Sequence, residues 1–216
     1  MLVTNLVVRD LNEAWWRAIR EVLLHGYTYT IDRGSHNKNM QRKEFDFFMC
    51  QIQYPATRPL TPIVPDSVPP PTDMDYVTKD YLPYLMVDAP KPGEQYTYGQ
   101  DIQDQFLKIC EMYKNDGYNT NQATISVGSK HSIDLSDPQC LRVIDTRVRY
   151  GKLHYFVYFR SWDLWGGFPS NLAGIQLMKE IMAKEIGVED GELIVASKGL
   201  HLYDYNWELG KVVARL

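Results

Sequence analysis

Cysteine is scarce here: Cys50, Cys110 and Cys140 are the three in 216 residues, and no two form a CxxC pair. An odd count without paired spacing argues against a disulfide framework and against a zinc site. A basic surplus is also missing. The net charge of −4 argues against a dedicated surface for nucleic acid or an acidic membrane. No apolar run approaches the ~18 residues of a membrane span, and the N-terminus lacks the apolar core of a signal peptide. Tryptophan is absent between Trp16 and Trp162, and no internal repeat is visible. What remains is 44% hydrophobic and 23% charged, an ordinary globular composition sufficient for one domain over 1–216. A reduced, cytoplasmic enzyme fits these absences.

Chemistry concentrates between Val157 and Ala173. Alternation from Leu153 to Phe159 predicts a strand, and the spacing of Leu172, Ile175, Met178, Met182 and Ile186 predicts a helix over Asn171–Ile186, with Pro169 and Ser170 at its start and Gly187 at its stop. Between them stand Arg160, Ser161, Asp163, Gly166, Gly167 and Asn171. A plain connection needs a turn glycine and a cap. A cation, a hydroxyl, a carboxylate and an amide beyond a strand's carboxyl end suggest a binding site.

The wording of that stretch, Arg160, Ser161, Asp163, Gly167, Pro169, Asn171 and Ala173, resembles the signature of the thymidylate synthase family, which includes the pyrimidine-nucleotide hydroxymethylases. Cys140 lies eleven residues before Gly151, and His201-Leu202-Tyr203 follows a further strand, Glu192–Ser197, both in the family's order. The resemblance covers roughly Tyr98 to Tyr203. It implies an α/β (α+β) fold with a mixed sheet and a long buried central helix. The turn at Gly151 independently requires antiparallel pairing.

The rest of the chain reads more blandly. Asp10 and Glu13 look like a capping box for a helix ending at Gly26, with the tandem Trp15-Trp16 expected in the core. The loop Asp32–Lys38 reads either as solvated or as anion-binding, and the resemblance assigns Arg33 to phosphate. Glu44 leads an aromatic segment; the family's early helix starts with a proton-managing glutamate, which matches it. Seven of twelve prolines fall in 55–71, so an extended surface segment is expected. Tyr98-Gly99-Gln100 opens a helix over Gln100–Tyr113, and a strand is expected over Ala123–Gly128. Cys140, just after Asp137-Pro138-Gln139, is either a small buried thiol or a nucleophile that Arg160 holds partly as thiolate.

By resemblance, Cys140, Glu44 and Arg160 are catalytic, while Arg33, Ser161, Asn171, His201, Tyr203 and Tyr98 hold dUMP. Asp163 and Gly167 meet a reduced pterin, either 5,10-methylene-tetrahydromethanopterin or 5,10-methylene-tetrahydrofolate, and no metal is implied. The expected product is dTMP. A hydroxymethylase and a silent nucleotide-binding protein are the alternatives. Departures are specific: Asn121 and Gln122 replace two arginines that reach a partner subunit, leaving monomer and homodimer open. Leu141 replaces a histidine after the cysteine, and Gly199 an aspartate. The chain ends at Leu216, where longer synthases continue to a closing tail, so the likeness is greatest to short archaeal, methanogen-type members.

Overall fold

The computed structural model describes residues 1–32 and 39–216. In chain order these form β1 (Val3–Val8), α1 (Leu11–His25), β2 (Tyr27–Thr30), β3 (Gln41–Glu44) and β4 (Phe47–Ile52). A helical run follows, α2 (Met74–Tyr76), a π turn (Val77–Tyr81) and α3 (Leu82–Met86), then α4 (Gly99–Asp116) and β5 (Thr124–Ser126). The last part holds β6 (Leu141–Arg149), β7 (Lys152–Phe159), β8 (Trp162–Asp163), α5 (Gly167–Ile186), β9 (Glu189–Ser197), β10 (Leu200–Tyr203) and α6 (Trp207–Ala214).

Period-two alternation builds the main sheet. β7 buries Leu153, Tyr155, Val157 and Phe159 and leaves the residues between them less covered. Its hairpin to β6 turns at Tyr150 and Gly151, whose φ values of 55° and 73° are both left-handed. Two such residues make the turn that follows natural strand twist. The strand order is β1-β4-β9-β7-β6-β5, with β7–β9 and β1–β4 parallel and the other pairs antiparallel. The sheet is therefore mixed, as expected.

α5 is the buried central helix. It starts at Gly167, four residues before the predicted Asn171. Pro169 falls within its first turn, where amides have no intrahelical partner, so the ring removes no bond. α1 is capped by Asp10, which accepts from Glu13 N at 3.0 Å. The Glu13 carboxylate reaches one residue further than a capping box, to Arg9 N at 2.8 Å. The tandem tryptophans split: Trp15 is fully buried, Trp16 is 37% exposed, because adjacent helix positions face different ways. Pro55–Pro71 has neither helix nor strand, in line with its prolines.

A second, four-stranded sheet was not expected. Its order is β2-β3-β10-β8, with His201 opposite Glu44 on one side and Asp163 on the other. Glu44 thus ends a strand rather than opening a helix. This small sheet joins residues that are far apart in sequence.

Candidate active site

A cleft of about 1020 Å³ opens where the N-terminus of α5 faces the end of the proline-rich segment and the helical run 74–86. Asp163, Gly167 and Asn171 line it from the α5 side, Pro70 and Pro71 from the segment, and Tyr81, Tyr84 and Tyr98 from the helices. Tyr81 approaches α5 closely at Gly174, where a methyl group would sit 2.5 Å from the ring. Sequence reading singled out Tyr98 and missed Tyr81, Tyr84 and Tyr96. Their ring centroids lie between 5.2 and 6.4 Å apart in successive contacts, forming one aromatic wall. The spacing of three between Tyr81 and Tyr84 was the available signal, since it puts both on one helical face.

Cys140 is half-buried behind this wall, just before β6. The hydroxyl of Tyr98 accepts from the next amide, Leu141 N, at 3.2 Å. A charge on the thiol would act on all four tyrosines. Arg160 is close, and its backbone N donates to Cys140 O at 2.8 Å. Its guanidinium, however, donates to the carbonyls of Gln139 (3.1 Å) and Pro138, clamping the loop before the thiol. Burial raises the Cys140 thiol above its ordinary value, and the lowering by Arg160 does not offset it. Against the expectation that Arg160 holds Cys140 partly as thiolate, burial here outweighs the nearby guanidinium. Desolvation is the stronger effect.

Asp163 first organises its own loop. Its Oδ2 accepts from Gly166 N (2.9 Å) and Gly167 N (3.0 Å), and its Oδ1 from Trp165 N at 3.3 Å. A carboxylate at the free amides of α5 also suits the helix dipole. Trp15 Nε1 donates to the carbonyls of Leu164 and Trp165, each at 3.1 Å, so α1 pins the same loop. Asn171 Oδ1 accepts from Trp162 Nε1 at 2.8 Å.

The small sheet collects the remaining residues. Glu44 accepts from Tyr29 Oη at 2.9 Å and pairs with Arg42 at 3.0 Å, and burial raises its carboxyl. Sequence reading did not single out Arg42. His201 is 3% exposed, its Nδ1 faces Gly199 O at 2.8 Å, and Glu44 Oε2 is 3.9 Å away. Burial first, and Arg42 second, lower His201 to about 4. The ring is thus neutral at pH 7, with its proton on Nδ1 facing the carbonyl. Nε2 is then a buried acceptor with no partner among the described residues. Tyr203 packs edge-on against this ring at 4.8 Å. Half-buried Ser161 lies beside Gly199, where a methyl group would be 3.4 Å from the Ser161 Cα. Arg33 lies outside the described residues. Among those described, no helix is long and apolar enough to cross a membrane.

The thymidylate synthase family profile matches residues 90–214, more than half of the chain. A Methanosarcina mazei protein named "Putative thymidylate synthase" is 27% identical, covering 93% of this chain and 90% of its own. One of the same name from Methanothermobacter marburgensis is 24% identical over 98% of both chains. The "Thymidylate synthase" of Listeria monocytogenes is 32% identical over 49% of this chain and 33% of its own. The matched span contains Cys140, Arg160, Asn171 and His201, and on that extent of agreement the chain belongs to the thymidylate synthase family.

Proposed function

We propose that the protein is a thymidylate synthase that converts dUMP to dTMP. Cys140 Sγ adds to C6 of the uracil and C5 gains nucleophilic character. The reduced pterin supplies the carbon and the hydride. C5 loses its proton, with Glu44 managing it from the half-buried cluster it forms with Tyr29 and Arg42. Sγ leaves as the methyl group is completed. Asn171 reads the base edge, and Arg160, Ser161 and Arg33 hold the phosphate. His201 Nε2 accepts a sugar hydroxyl, with Tyr203 beside it. Asp163, Gly167 and the tyrosine wall receive the pterin.

The observation that carries this reading is the position of Cys140 behind a tyrosine wall that also borders Asn171 and Asp163. A merely structural thiol needs neither an aromatic cleft nor a base-reading amide nearby. We take methylene-tetrahydromethanopterin, rather than the folate, as the donor, because relatives of this chain come from methanogens. Chromatography of the products from dUMP and each methylene donor tests the reaction: dTMP is expected, and a dominant 5-hydroxymethyl product would assign the hydroxymethylase branch instead. With a methylene donor present, intact-mass spectrometry should also show a 5-fluoro-dUMP adduct that is lost in Cys140→Ser; no adduct in the wild type under those conditions would overturn the role of Cys140 as nucleophile.

A further inference from the structure

We propose that Trp162 is a positioning residue that sets base specificity by locking the side-chain amide of Asn171 in one orientation; this rests on the uracil-nucleotide reading above. An indole Nε1–H only donates, so the Asn171 atom at 2.8 Å is the oxygen. The indole cannot swing away, because it is 2% exposed, stacked on Phe159 at 3.9 Å and packed against Phe168 at 4.6 Å. The Asn171 side chain also neighbours the Tyr81 hydroxyl, and the amide edge that Trp162 leaves free lines the cleft.

Uracil presents the O4 acceptor and the N3–H donor, whereas cytosine presents the N4 amino donor and the N3 acceptor. A free asparagine serves either base by turning its amide over. Here the turn would set Nδ2–H against Nε1–H, two donors facing each other in a buried place. The locked amide therefore favours one pattern, and Trp162 rather than Asn171 alone carries the discrimination.

The test is calorimetry with dUMP and dCMP. Trp162→Phe keeps a ring between Phe159 and Phe168 and removes only the donor. The wild type should prefer dUMP, and Trp162→Phe should lower the dUMP:dCMP affinity ratio about tenfold, the worth of one modest hydrogen bond. In an Asn171→Asp background, which has no amide to turn, the same change should leave the ratio within about twofold. A purely structural role would weaken both nucleotides together in both backgrounds. An unchanged ratio in Trp162→Phe, with dUMP still bound, overturns the proposal and leaves the uracil reading standing. A wild type that binds neither nucleotide defeats the uracil reading itself. Should the variant fail to fold, hydrogen exchange of the Trp162 indole in 15N-labelled wild type gives the answer: protection kept at saturating dUMP supports the lock, and protection lost on binding overturns it.

Discussion

Cys140 stands between two opposed influences, and their balance predicts how it reacts. Burial raises the thiol, Arg160 lowers it, and Asp137 raises it again. Arg160 has already committed donors to the Pro138 and Gln139 carbonyls. The thiol should therefore alkylate slowly at neutral pH, with a rate that still climbs through and beyond the ordinary thiol range. Arg160→Gln should move that profile to still higher pH. Iodoacetamide labelling of Cys140 followed by mass spectrometry measures it, and a rate that levels off below the ordinary thiol value would contradict the balance. At this scale the sequence was informative where residue type alone marks chemistry. A cysteine before a strand and an amide at a helix entrance stand out from packing residues. Tyr81, Tyr84 and Tyr96 do not, because tyrosine at helical or alternating spacing reads equally as core.

α5 shows what element-level reading captures and what it omits. Its apolar period announced a buried helix, but Lys179 sits on its inward side, fully buried, with Nζ bonded to Gly191 O and 3.3 Å from Asp190. No pattern rule expects a lysine there; its partners come from β9, across the turn at Gly187. Burial lowers Lys179 from 10.5 to about 8, despite Asp190. The folded protein therefore releases this proton at lower pH than the unfolded chain. Between about 8 and 10.5 the unfolded chain holds more protons, so this group's contribution rises with pH in that window. Below the window its destabilising effect is constant. Urea denaturation across this range should show the wild type gaining up to a few kcal/mol relative to Lys179→Met. The difference between the two proteins is the informative quantity, because Cys50, raised to about 12, acts in the opposite sense in both. Equal pH profiles would show that Lys179 is not perturbed.

For the whole molecule, what counts is how the two sheets meet. The larger sheet was partly legible, since the β6–β7 hairpin and the alternation of β7 are written in apolar periodicity and a turn. The smaller sheet was not. β3 is the polar run Gln41–Glu44 and β8 is two residues long, so neither has a period to detect. They exist because β10 pairs with both. Gly199 lies at this junction, where a methyl group would be 3.0 Å from Arg160 O and 3.6 Å from Glu44 Oε2. At Gly199, where the resemblance expects an aspartate, even the first side-chain carbon would press on a carbonyl and stand near the Glu44 carboxylate. Gly199→Asp, although it restores the family residue, should destabilise the fold by about 1–3 kcal/mol and weaken nucleotide binding. Denaturation and calorimetry on that variant check it, and a protein as stable as the wild type would mean the junction is looser than its distances indicate.

The contact between Trp15 and Trp165 gives this chain an optical property. The two indoles lie 5.4 Å apart at 57°, neither parallel nor perpendicular, an arrangement in which their transition dipoles couple and rotate polarised light. One ring is buried in α1, and the other rides on the loop that Asp163 shapes beside the cleft. Any ligand that shifts Trp165 alters that coupling, so the near-ultraviolet dichroism of the unmodified protein should register occupancy of the cleft directly, without a label.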